Sequence, residues 1–388
     1  MNITEQVKFN KVNDKEVEIV INGADSRVLD GVSLEILVDI LRTKINKDTR
    51  IFLNGDILAS NPIFIGDKII KRLDEKYPNS YKEFLIESFG LDCTKNIESY
   101  NKICQKYGIK KHKLIFTNLL EAIVGNPAVN ETEFYRSNFS TEPRIKPKKF
   151  LCFNHNPRIH RMYFISKIIE NNLLDKAHVS FLLRGDQKNK SDIISAAYSG
   201  EMNYVIPKFK EQVKDVLMKN IDLFPIELNW FTESDFYNYT GTVVNDIKYY
   251  NETYFSFVTE SVFFKEFSHI IENQFDCASI TEKTWKPILA RHPFIMTARP
   301  NTLAALREAG YKTFHPFIDE SYDYVQDDHL RLETIFSEVL RLCSFTDEQW
   351  LEWQHNVKDI LEHNFEHAIK RYHTSYIRNR NYKPNQLR

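Results

Sequence analysis

The chain has 388 residues, of which 42% are hydrophobic and 27% charged. That balance excludes a chain disordered by composition, and the length suits two domains better than one small binding module. With 52 Lys and Arg against 53 Asp and Glu the net charge is -1, which excludes a protein that coats nucleic acid or an anionic membrane through its overall charge.

The opening residues are polar and lack the apolar centre of a signal peptide, and no run approaches the ~18 apolar residues of a membrane span. The expectation is a cytoplasmic protein. VEIVING (17–23) and RIFLNGD (50–56) are strand-like runs stopped by Asn and Gly, and VSLEILVDILRTKI (32–45) between them has helical spacing. Residues 62–108 are expected to be mainly helical, and KLIFTN (113–118) is a third strand candidate. Residues 130–149 lose periodicity and collect Pro, Ser, Thr and Lys, as a linker would, which places a domain boundary near 145.

Beyond it the pattern is a β-α-β alternation. KFLCFN (149–154) is a strand of buried type, 162–174 a helix, 177–185 a strand, TYFSFVTES (253–261) a strand, 280–292 a helix, PFIMTA (293–298) a strand, 301–311 a helix and KTFHPFI (312–318) a short strand. Such alternation builds a parallel sheet wrapped by helices, whose ligands bind beyond the carboxyl ends of the strands. The tail from about 345 is helical. The expected organisation is 1–145, 146–345 and a C-terminal helical segment 346–388 that packs back on the first domain.

Five scattered cysteines, Cys93, Cys104, Cys152, Cys277 and Cys343, show no C-x-x-C spacing and point to reduced thiols. Neither a Walker loop nor a G-x-G-x-x-G fingerprint occurs. The strongest local signal is SITEKTWKP (279–287) at a predicted helix start. There Thr281 can cap, Lys283 can neutralise phosphate charge, and Glu282 can accept hydrogen bonds from ribose or sugar hydroxyls. An ordinary capped amphipathic helix has the same spacing. The second signal is FNHNPRIHR (153–161), directly after a strand, where Arg158 and Arg161 can fork phosphate oxygens or simply solvate a helix face. His155 and His160 are not spaced as zinc ligands.

Together, FLCFNHNPRIHRMYF, YFSFVTES and SITEKTWKPILARHPFIM resemble the nucleotide-binding half of GT-B glycosyltransferases, most of all the α-1,3-fucosyltransferase and exostosin-like groups. In those groups an "N-P…R" helix start and a "(V/I)TEK" helix start face the nucleotide diphosphate. The run 293–323 further resembles phage and giant-virus glycosyltransferase-like proteins with a "TEKTxKP…GFkTF…iDEsYD" signature, Tyr311 standing in place of its Phe. The resemblance spans 146–323. It implies two Rossmann-like α/β domains with a cleft between them. It also implies inverting, metal-independent transfer of a sugar from a nucleoside diphosphate sugar to an acceptor hydroxyl, with no cofactor. By position, Arg158, Arg161, Glu260, Thr281, Glu282 and Lys283 would bind the donor.

The first half carries no matching motif, yet an inverting enzyme needs a general base there. Asp25 and Asp56 follow the first two strand-like runs and Glu121 the third, so each is a candidate, and each also suits an ordinary loop carboxylate. Asp327-Asp328-His329 is the nearest cluster to a metal-binding D-x-D, in a stretch of surface character, so no metal is expected. Residues 143–161 and 367–388 each contain six Lys and Arg and no acid. The acceptor is a glycan, a small molecule or DNA, including a hydroxymethylated base in phage DNA that such tracts would help to grip. The other classes left open are a non-catalytic nucleotide- or glycan-binding protein and a nucleic-acid-binding protein using these tracts.

Overall fold

A computed structural model describes the backbone of five strands within residues 7–118, and then residues 129–154, 157–181, 206–228, 247–260, 262–264 and 280–380. Side chains are described within 133–370, those of Phe134 and Glu282 excepted. The expected helix at 32–45 lies outside the described residues. The chain divides into two compact units, residues 1–119 with 268–278, and residues 120–267 with 279–388.

The first unit holds β1 (Val7–Asn13), β2 (Glu16–Ile21), β3 (Arg50–Asp56), β4 (Lys82–Ser88) and β5 (His112–Asn118) in one sheet of order β1-β2-β3-β4-β5. β1 is antiparallel to β2, and the other pairs are parallel. The strands follow sequence order without reversal. Strands 17–21, 50–56 and 113–118 fall where the alternation of residues places them. β4 lies inside the stretch expected to be mainly helical. Its KEFLIES reads as either element, because a short apolar run between charges has no decisive period. Pairing decides it: the register aligns Ile19, Leu53, Phe84 and Leu114 in one apolar row across four strands. β1 is likewise a strand that the polar opening concealed, although Val7 and Phe9 alternate with Lys8 and Asn10.

In the second unit the chain forms α1 (Val129–Asn138), β6 (Lys148–Asn154), α2 (Ile159–Glu170), β7 (Ala177–Phe181), α3 (Lys210–Lys219) and α4 (Ile247–Glu252). It continues with β8 (Thr253–Thr259), α5 (Glu282–Leu289), β9 (Phe294–Thr297), α6 (Thr302–Glu308), α7 (Asp328–Cys343) and α8 (Asp347–Arg380). The sheet order is β7-β6-β8-β9, all parallel. This is a mixed α/β architecture compatible with a Rossmann-like fold, and the order reverses between β6 and β8. Every residue of β8 is buried, as befits a central strand covered on both faces. Phe150 of β6 stacks on Phe255 at 5.6 Å between ring centroids, and Phe164 of α2 meets Phe257 edge-on at 4.9 Å. Among the described residues no helix is long and apolar enough to cross a membrane.

Two local expectations are corrected. The stretch 130–149 is not an aperiodic linker throughout, because α1 occupies its start and buries Tyr135, with Phe139 buried just beyond. Residues 312–318 form no strand. The Glu320 carboxylate takes the Phe314 amide and the Thr313 hydroxyl, each at 2.6 Å, and Pro316 has no N–H to give a ladder. The rest of that signature is also occupied structurally. Asp323 accepts the amides of Leu303 and Ala304 at 3.0 Å each, capping α6 behind Asn301, whose φ of 64° is a left-handed value that Asn tolerates. α8 lies along the segment before β6 and along the loop after α6: Gln354 bonds Arg144 in both directions, and Asn364 bonds Lys312 likewise.

His292, beside β9, is buried, donates from Nε2 to the Thr253 carbonyl at 2.8 Å, and accepts from Ser256 at Nδ1. Burial first, then the Lys146 charge, holds its pKa well below 6.5. A depressed folded-state value means that the unfolded chain binds the extra proton, so stability present above pH 6.5 is lost as the pH falls. Glu320 and Asp323, raised chiefly by burial, act in the opposite sense, gaining as the pH falls. The test is therefore differential. Below about pH 6.5 the wild type should lose stability more steeply than His292→Gln, by no more than on the order of 1 kcal/mol per pH unit. Urea melts at pH 7.5, 6.5 and 5.5 check it, and parallel slopes would refute the assignment.

Candidate functional site

β6 ends in the buried Asn154, and β8 ends in Thr259 followed by the buried Glu260. The strand order reverses between these neighbours, and in open parallel sheets such a switch point is where ligands bind, outside the carboxyl ends of the strands. Two helix starts belong to this edge. α2 begins after Arg158, an exposed N-cap residue in extended conformation that makes no side-chain cap, so the first amides of α2 have no cap from that residue. α5 begins after Thr281, whose hydroxyl accepts the Lys283 amide at 3.4 Å.

Hydrogen bonds knit the edge together. Thr259 donates to Asn154 Oδ1 at 2.6 Å, closing β6 onto β8. The guanidinium of Arg161, itself almost fully buried, donates to the carbonyls of Thr259 at 3.0 Å and Glu260 at 3.4 Å. His160 Nε2 reaches the same Glu260 carbonyl at 2.9 Å, which assigns its proton to Nε2. Burial, reinforced by the Arg161 charge, holds its pKa well below 6.5, so the ring is neutral. The Glu260 carboxylate points the other way. Oε1 accepts the Thr281 amide at 3.0 Å and the Thr284 hydroxyl at 2.6 Å, and Oε2 accepts the Thr281 hydroxyl at 2.6 Å. Lys283 Nζ donates to Thr281 Oγ1 at 3.2 Å. Behind this edge His160 stacks on Phe263 at 5.5 Å, and the buried Arg331 donates to the Phe263 carbonyl at 2.9 Å.

The fold thus brings Arg161, Glu260, Thr281 and Lys283 into one connected cluster, with Arg158 at the adjoining helix start. Glu282 is the first residue of α5, and its side chain lies outside the described residues. So do Asp25, Glu121 and His155, while Asp56 is the last residue of β3 in the first unit, its side chain likewise not described. Asp327 caps α7 through the Leu330 amide at 2.7 Å, and Asp328 pairs with Arg331. Among the described residues no group of three or more His, Cys, Asp or Glu is placed to hold a metal ion. The sequence reading missed Asn154, Thr259 and Thr284 and did not foresee His160 as a buried, neutral donor to a carbonyl. A signal existed for the first three. Asn154 and Thr259 are polar residues closing apolar strands, and Thr284 lies three residues after Thr281, on the same helix face.

The first basic tract does not form one patch. Arg144, Lys146, Lys148 and Lys149 lie at the amino end of β6, and Arg158 and Arg161 follow its carboxyl end. Seven residues of strand hold the groups roughly 20 Å apart. Lys146 donates to the Thr253 carbonyl, and burial lowers its pKa to about 7. Lys149 sits 5.7 Å from the centre of the Trp350 ring. Residues 371–388 of the second tract lie outside the described side chains.

No family model and no curated protein matches the chain. Among solved structures it is similar to the GtfA/B complex in its crystal structure, with a TM-score of 0.35 and 10% identity over 89% of this chain and 59% of that one. The chain therefore spans less than two thirds of that neighbour's length, and a likeness of this size carries no inference about activity, which rests instead on the geometry of the β6–β8 edge.

Proposed function

We propose that the second unit binds a nucleoside diphosphate sugar and that the protein is a glycosyltransferase passing the sugar to an acceptor hydroxyl, with inversion and without a catalytic metal. One observation carries this reading: two helix starts, each with a basic residue within its first turn or at its cap, meet at the carboxyl ends of the two strands between which a parallel sheet reverses its order. A diphosphate is the ligand such an edge suits, since helix amides and cations answer its charge. As the glycosidic bond breaks, negative charge grows on the leaving diphosphate, and Lys283, Arg158 and the two helix starts would stabilise it. Arg161 adds a positive charge from beneath, Glu260 and Thr281 hold the frame, and Glu282 is assigned to the ribose or sugar. The general base is assigned to the acceptor side, residues 1–145, among Asp25, Asp56 and Glu121. Division of the basic tract between two edges of the sheet favours a glycan or small-molecule acceptor over duplex DNA.

The test is a thermal-shift screen of UDP, GDP, CMP and dTDP sugars, followed by donor hydrolysis in excess EDTA. A ligand that binds only the folded state raises the midpoint. One donor should do so, and Lys283→Ala should weaken its binding by ~1.5–3 kcal/mol, the range for a hydrogen bond to a charged group. Arg158→Ala should act in the same direction. Unchanged donor affinity in both folded variants, or no stabilisation by any donor, overturns the reading. Binding without hydrolysis or transfer points to the non-catalytic class instead.

A further inference from the structure

We infer that Glu260 is the positioning residue of the donor site, tying both helix starts to the end of β8, and that it does not itself bind the sugar. This rests on the reading above. The observation is that one residue anchors both helices with different groups. Its backbone carbonyl receives His160 and Arg161 from the first turn of α2, at 2.9 and 3.4 Å. Its carboxylate receives the amide and hydroxyl of Thr281 and the hydroxyl of Thr284, from the first turn of α5. The side chain has no exposed surface. A carboxylate so enclosed is poorly placed to meet a sugar hydroxyl, but it sets where the amides of α5 stand relative to those of α2. The chain continues outward, because Thr281 Oγ1, which donates to Glu260, accepts from Lys283 Nζ. Glu260 thereby fixes the hydroxyl on which that ammonium rests.

The consequence is specific to the diphosphate. Two helix starts held at a set separation grip two phosphates jointly, whereas the nucleoside part of the donor gains nothing from that separation. Glu260→Gln keeps the shape and the backbone carbonyl. Its amide still accepts from the Thr281 N–H through oxygen, but its NH2 faces Thr281 Oγ1, which must then accept and can no longer donate. Thr284→Val removes a single hydroxyl bond to Oε1 at nearly constant volume, and Thr284→Ser restores it.

The experiment measures, by calorimetry, the affinity of the nucleoside diphosphate that the wild type prefers among UDP, GDP, ADP and dTDP, and that of its parent nucleoside. In Glu260→Gln and Thr284→Val the diphosphate should bind about tenfold or more weakly, since small misplacement of binding groups has effects of that order, while the nucleoside stays within about twofold. Thr284→Ser should recover most of the loss. A merely structural role would weaken both ligands alike. If the ratio of the two affinities is unchanged in folded variants, the positioning role is overturned and the donor reading stands. If the wild type binds no nucleoside diphosphate, both fall. Should Glu260→Gln not fold, the comparison of Thr284→Val with Thr284→Ser decides between the same outcomes.

Discussion

Trp350→Ala should destabilise the second unit by ~3–5 kcal/mol, the range for removing a large aromatic side chain from a core. Trp350 is fully buried near the start of α8. Its ring lies nearly parallel to Tyr254 of β8 at 4.1 Å, touches Phe345 at 5.1 Å, and meets Trp353 edge-on at 5.1 Å. The Lys149 ammonium lies near it at 5.7 Å, so the ring links the start of β6, the central strand and the C-terminal helix. Truncation removes this shared surface and leaves a cavity that rigid strands cannot close. Trp350→Phe is the control. Its cost should be clearly smaller, because a ring still fills the stack and because the indole Nε1 has no hydrogen-bond partner among the described residues to lose. Urea unfolding, with hydrogen exchange of the β6 and β8 amides to confine the result to this unit, measures the difference. A loss below about 1 kcal/mol for the Ala variant would show that α8 docks elsewhere.

The second large effect is expected at Arg331. Its guanidinium is buried and donates to the carbonyls of Val325 at 3.0 Å and Phe263 at 2.9 Å and to Asp328. It also lies over the Phe263 ring at 4.2 Å. Arg331→Ala leaves two carbonyls and a carboxylate without their donor and removes the cation from the ring, so ~3–5 kcal/mol is expected, as for breaking a buried charged pair. Lysine should restore only part of this, because one ammonium cannot span three acceptors set by a planar fork. Phe263 carries the stack against His160, so hydrogen exchange should rise at the first turn of α2 as well. Equal stability of the Lys variant and the wild type would refute the fork as the cause.

Much of the second unit was legible in the residues. KFLCFN, the helix at 162–174, TYFSFVT and PFIMT each carry a period or an apolar run long enough to name the element, and their alternation implies parallel strands. Thr281 is a cap by residue type and position, and it is one in the structure. KEFLIES in the first unit and KTFHPFI in the second were not legible, for opposite reasons. The first has an ambiguous period resolved by neighbours on both sides. The second has strand-like residues whose donors are captured by Glu320, a carboxylate further along the chain.

Sequence alone determined which residues are polar at strand ends and helix starts, because those positions depend on local amides and on nearby residues. It could not determine what those side chains do there. Arg161 read as a phosphate fork or a solvated helix-face charge and Glu260 as a donor contact, yet both are buried and bonded to groups 98 and 21 residues away in sequence, respectively. Only the tertiary structure decides that, because the reversal of strand order between β6 and β8 brings the two helix starts to one strand end. A charge removed from water must then find partners, and the nearest are the carbonyls and hydroxyls of that shared edge.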